Sequence, residues 1–201
     1  MKMRNSLFLP GLLVLTFAQG CGGNADKADI VRIDSVYALV EKTGMKLNEI
    51  NIDSVNAKNE LYKANATVLS ENIYDIKNDE TWPWICAYSN VRKPFKTMVT
   101  EYKKYKAELD TCKKQLDDMK HDLGNGALSK TDFNTYFIVE CCAVNDLNRK
   151  ISSGVNSVKG QLKNFDTVYP VICRIIKEFK ENEAKSPKKD RKEEIAPEET
   201  D

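Results

Sequence analysis

Histidine is almost missing from this 201-residue chain, His121 being the only one. No Cys-x-x-Cys spacing accompanies it, so the usual thiolate and imidazole sets for zinc cannot be assembled. The Glu-x-x-His pattern of di-iron bundles is absent, as are a glycine-rich phosphate loop, a haem-attachment motif and a placeable Ser-His-Asp set. His121 lies between Lys120 and Asp122 on the polar side of its helix. Glu140, next to Cys141 and Cys142, is a lone carboxylate, read as an edge residue reaching water or a lysine. With no acid–base pair and no activated nucleophile, the expectation is a protein that is not an enzyme and holds no metal or cofactor. Charge of one sign is lacking too: 31 basic residues face 30 acidic ones, which leaves no field to steer the chain to nucleic acid. Glycine (9) and proline (6) are scarce, while Lys, Glu, Asp, Asn and Leu are abundant. That balance predicts an all-helical fold.

No apolar run reaches the roughly 20 residues a membrane-spanning helix needs. The stretch from Leu7 to Phe17 is shorter, with Pro10 and Gly11 inside it. It comes after Lys2 and Arg4 and runs into Ala18-Gln19-Gly20-Cys21, the order of a secretion signal. This segment resembles a bacterial lipoprotein signal, departing from it at Ala18, where a branched residue is usual. The resemblance implies that residues 1–20 are removed, that Cys21 carries lipid, and that the protein sits in the cell envelope, at the outer membrane in preference to the inner. Removal takes away Lys2 and Arg4 and leaves 29 basic against 30 acidic residues. Residues 21–29 then read as a flexible tether, beginning with small or polar side chains from Gly22 to Lys27. Residues 30–180 form the expected bundle domain. From Glu181 to Asp201 charge dominates, with Pro187, Pro197 and only Ile195 as a sizeable apolar residue, so 181–201 is expected to be a disordered tail.

Phe95, Met98, Tyr102, Tyr105, Leu109, Cys112, Leu116, Met119 and Leu123 alternate intervals of three and four. This puts them on one seam of a helix about 42 Å long. Val55, Asn59, Tyr62, Ala66, Leu69, Ile73 and Ile76 repeat the alternation. An earlier set from Ile30 to Leu47 is out of phase by about one residue, with the slip near Ile50 to Asp53 and Asp53 a candidate N-cap. A broader stripe runs from Phe133 through Phe137, Cys141, Val144, Leu147, Ile151, Val155, Val158 and Leu162 to Phe165, with Ser129 or Thr131 as its cap. Gly124-Asn125-Gly126 reads as a turn. Trp82-Pro83-Trp84 marks a helix start, Pro94 should kink or break the helix after it, and Pro170 predicts a last helix beginning near Asp166. The expected architecture is all-α: an elongated antiparallel bundle of four to five helices with coiled-coil-like seams, acting as a monomer.

Counting outward from the turn puts Cys112 and Cys141 eleven residues to either side, level across a hairpin, with Cys142 the competing partner. Cys86 and Cys173, both near helix starts, are a second candidate pair. Export makes such disulfides possible. The alternative is that all five are small buried hydrophobes. Trp82 and Trp84, near Tyr88, form either a packed cap or an exposed interaction patch. Asp34-Ser35-Val36, Asp53-Ser54-Val55 and Asp166-Thr167-Val168 resemble the acceptor motif of a general O-glycosylation system of some Gram-negative envelopes. That resemblance implies solvent-facing hydroxyls on Ser35, Ser54 and Thr167, though Asp before Ser or Thr is also ordinary helix-start chemistry. Together these features predict a lipid-anchored, non-enzymatic binding or structural module engaging a protein or cell-wall partner. The alternative is a carrier that holds a small apolar ligand between helices, which requires an enclosed apolar pocket.

Overall fold

The computed structural model describes residues 27–185. The expected signal peptide, the lipidated Cys21, residues 21–26 and residues 186–201 lie outside that range. Within it the protein is an all-α bundle: α1 (Lys27–Asn48), α2 (Ile52–Glu71), the single turn α3 (Ile73–Ile76), α4 (Trp82–Ser89), α5 (Arg92–Gly124) and α6 (Lys130–Lys185). Helix begins at Lys27, three residues before the expected boundary, and persists to Lys185.

Five of the six segments make three legs, with α3 in the connection between α2 and α4. One is α6, 56 residues long and so about 84 Å from end to end. A second is α1 followed by α2, which runs parallel to α6 at a nearly constant offset: Asp29 meets Lys130, Arg32 meets Asn134, Thr43 meets Asn148, Lys58 meets Asp166 and Asn65 meets Cys173. The third, α4 followed by α5, is antiparallel to both, so Lys120 reaches Asp34 while Tyr88 reaches the Leu61 carbonyl. A seam of alternating threes and fours on each leg faces the shared core, in which Ile33, Val40, Val55, Phe95, Leu116, Phe133, Ile151 and Ile172 are buried.

Local chemistry sets the breaks. At the phase slip, α1 closes with the Glu49 and Ile50 amides bonded to the Lys46 and Leu47 carbonyls, and Ile50 is buried in the gap. The α2 cap is Asn51, whose side-chain oxygen accepts from the Ser54 amide at 3.0 Å. Asp53 instead sits in the first turn, where its charge faces the positive end of the helix dipole. The α5–α6 turn is a Schellman motif: Gly126 has φ +69°, its amide donates to Leu123, and the Ala127 amide donates to Asp122. Ser129 caps α6 by accepting from the Asp132 amide, and its hydroxyl donates to the Asp132 carboxylate at 2.6 Å.

Pro94 falls in the first turn of α5, three residues after Val91, the chain having already broken at Asn90 and Val91. Pro170 does not start a new helix; it lies inside α6. A proline there costs about 3 kcal/mol, because the Asp166 carbonyl loses its partner. Across it, Phe165, Val168, Ile172 and Ile176 keep one apolar face buried against the other legs, each worth about 1.5–3 kcal/mol. Four such side chains outweigh one proline, and the helix runs on.

Candidate functional site

Two regions combine exposed apolar surface with unusual polar chemistry, one at each end of the bundle. At the end where α2 gives way to α4, Asn78 builds the turn: its side-chain oxygen accepts from the Glu80 and Thr81 amides, and the Thr81 hydroxyl donates to the Ile76 carbonyl. Pro83 then occupies the first turn of α4, where a missing amide is harmless. This presents Trp82 and Trp84 at 41% and 39% exposure, with the Lys77 ammonium 4.5 Å above the Trp82 ring. Beside Trp82 an open groove of about 380 Å³ is lined by Leu69, Ile73, Trp82, Ile85 and Cys86. Neither indole is part of a sealed cap. Tyr88 borders the same groove but is itself buried, packed against Tyr62 at 5.0 Å and Phe165 at 5.9 Å. Phe95 and Tyr169 extend that cluster around Phe165, tying the three legs together beneath the tryptophans.

Toward the other end, Cys112 and Glu140 face each other between α5 and α6. The five described cysteines are free thiols, so neither expected bridge is present. Counting from the turn misses by one residue. The register that sets Gly154 against Met98 brings Glu140, not Cys141, opposite Cys112. One residue is about 100° of helix rotation, which carries Cys141 toward α1 and Arg32 and leaves Cys142 exposed. Cys173 receives a contact from the Asn65 amide nitrogen at 3.6 Å and lies beside Tyr169, while Cys86 lines the tryptophan groove.

Glu140 is therefore not an edge residue. It is 6% exposed, and its Oε1 has no hydrogen-bond partner. Desolvation pushes its carboxyl above the ordinary range, offset in part by the Cys112 thiol. Burial pushes the Cys112 thiol up to about 12, with the neighbouring Glu140 adding to the effect, so this cysteine is held neutral. The carboxyl adjoins an open groove of about 550 Å³ between the two helices, into which Met119, Leu128, Tyr136 and Val139 contribute apolar surface.

The remaining candidates are surface features. Ser35 and Thr167 are exposed and Ser54 is half-buried; all three lie in helices, with the Ser35 and Thr167 hydroxyls donating to carbonyls one turn back. His121 is exposed beside Asp122 and Asn125. Among the described residues no group of three or more His, Cys, Asp or Glu is arranged to hold a metal ion, and no helix is long and apolar enough to cross a membrane. No protein-family model, no curated protein and no solved structure matches the chain.

Proposed function

We propose that this chain is a lipid-tethered, non-enzymatic helical rod of the bacterial envelope that presents one end to a protein or cell-wall partner. The observation that carries the reading is the position of Trp82 and Trp84. The α1 start, from which the tether would lead, meets α6 at Lys130, whereas the end of α2 meets it near Cys173. Those points are about 65 Å apart along α6. The exposed indoles thus lie toward the end of the bundle remote from the start of α1, which supports a module that reaches away from an N-terminal anchor. Tryptophan offers a large contact area at low entropic cost, and it is the residue most enriched at binding hot spots. The inter-helix grooves are open rather than enclosed, which favours docking over storage of an apolar ligand.

The test is recovery of the native protein from detergent-solubilised envelope, in parallel with a W82A/W84A variant, followed by mass spectrometry. A stoichiometric partner retained by the native protein and lost from the variant is the expected result. Equal retention by both, or recovery of the protein with only a tightly held small molecule, defeats the proposal.

A further inference from the structure

The groove between α5 and α6 has a chemical asymmetry that packing alone does not require. Its apolar side comes from Met119, Leu128, Tyr136 and Val139, and Tyr136 is 56% exposed. Its charged lining is entirely acidic: Asp118, Asp122 and, beneath the surface, Glu140. Lys114 reaches Asp118 from outside at 2.6 Å, and His121 stands 3.2 Å from Asp122, so both rim carboxylates have local partners. Glu140 Oε1 has none. Buried carboxylates are ordinarily paired or fully hydrogen-bonded. Here no group among the described residues completes the pairing, and the side from which one can arrive is the groove.

We propose that this groove binds a small aliphatic ammonium cation, its charged head on Glu140 and its hydrocarbon stem along Met119, Leu128 and Val139. An ammonium brings three donors to a carboxylate oxygen that lacks one, and the acidic rim excludes anions of the same shape. Oε1 is covered, and entry requires a neighbouring side chain to swing aside; the exposed Tyr136 ring, hinged on two torsions, is suited to that and can then stack over the cation. The site is distinct from the tryptophan end and does not depend on it.

Isothermal titration calorimetry with hexylammonium tests the assignment, using hexanol and hexanoate as shape controls and circular dichroism to verify folding of each variant. Saturable binding of hexylammonium, at least tenfold tighter than either control and weakened tenfold or more by Glu140→Gln, is the expected result. Tyr136→Ala, at an exposed position, should weaken it about threefold to tenfold without affecting the fold. Binding no tighter than hexanol, or binding unchanged in Glu140→Gln, overturns the site. Tighter binding of the capped peptide Gly-Lys-Gly than of hexylammonium overturns the free-amine assignment in favour of a lysine side chain of another protein.

Discussion

Replacing Glu140 with leucine should make the protein more stable. The side chain occupies a seam position between Phe137 and Val144, is 6% exposed and leaves Oε1 without a partner. An unsatisfied buried polar group costs about 1–3 kcal/mol, more if charged, and apolar replacement of buried ionic groups often stabilises by about 1–4 kcal/mol. The expected gain at pH 7 is about 1–3 kcal/mol, or about 2–12 °C in melting temperature for a chain of this size. The sign of the pH dependence comes from the same cause. Desolvation raises the Glu140 carboxyl above its ordinary value of 4.5, so between that value and the raised one the folded state binds more protons than the unfolded. The stabilising contribution is complete below about pH 4.5 and is lost as pH rises through the folded-state value. Urea unfolding followed by circular dichroism from pH 4 to pH 8 should show the advantage of Glu140→Leu growing with pH. Glu140→Gln, which keeps the shape and removes the charge, should flatten the slope while recovering less stability. A leucine variant less stable than the native protein by about 1 kcal/mol at pH 7, or identical pH slopes in native protein and glutamine variant, would refute the reasoning.

Asp29 should behave in the opposite sense. It is buried, and hydrogen bonds from Lys130 first and Arg32 second hold its carboxyl below the ordinary range against its own desolvation. Its contribution is present above about pH 3.8 and lost as pH falls through the depressed value; Asp29→Asn should cost about 1.5–3 kcal/mol at pH 7 and almost nothing near pH 2 in the same urea assay. Pro170→Ala should stabilise by about 1–3 kcal/mol, since the exposed ring buries little and its removal restores an amide donor to the Asp166 carbonyl; a loss in thermal unfolding would mean that a proline bend is needed for packing. Under native conditions at pH 8, a thiol reagent should modify exposed Cys142 first and Cys112, with its neutral buried thiol, only on unfolding. Peptide mapping of the labelled protein reads out the order.

The helices are legible in the sequence because their seams are long and strictly spaced, and Phe95 to Leu123 reads directly as the buried face of α5. Other features are illegible for identifiable reasons. Pro170 looks like a helix start because local cost is visible in sequence, while the burial of Phe165, Val168, Ile172 and Ile176 that overrides it is a tertiary effect. Asp53 looks like a cap two residues after Asn51, and only backbone geometry distinguishes them. Glu140 is hidden by its charge. Steps of four and three from Phe133 run through Phe137, Glu140, Val144, Leu147 and Ile151 as readily as through Cys141, and choosing the apolar neighbour displaces the hairpin partner of Cys112 by one position. Tyr88 reads in sequence as an exposed companion of the tryptophans; it does border the groove with Trp82, but its ring is buried in the core, which proximity in the chain does not reveal.

Spacing alone cannot hold such a rod in register, because a seam shifted by seven residues still meets another seam. The polar pairs between α1–α2 and α6 supply what is missing. Arg32 bonds Asn134 at 3.1 Å while its guanidinium covers Phe137 at 4.4 Å; the Thr43 hydroxyl lies 3.0 Å from Asn148, and Lys159 reaches Glu49. A slip by one heptad would take Lys130 from Asp29 and Asn148 from Thr43 and leave these buried side chains only their bonds within α1, to Arg32 and to the Leu39 carbonyl, at about 0.5–1.5 kcal/mol for each hydrogen bond lost. Polar groups along this interface therefore discriminate among alignments that the apolar seam leaves equivalent. Glu140 does nothing of the kind. The polar group that bonds it is a thiol held neutral, and a leucine there would continue the seam unbroken. A position that gives up stability without fixing register is where a local rule is expected to yield to binding. That contrast, between polar atoms with partners at one interface and an orphaned carboxylate at the other, makes the α5–α6 groove the place to look for a ligand.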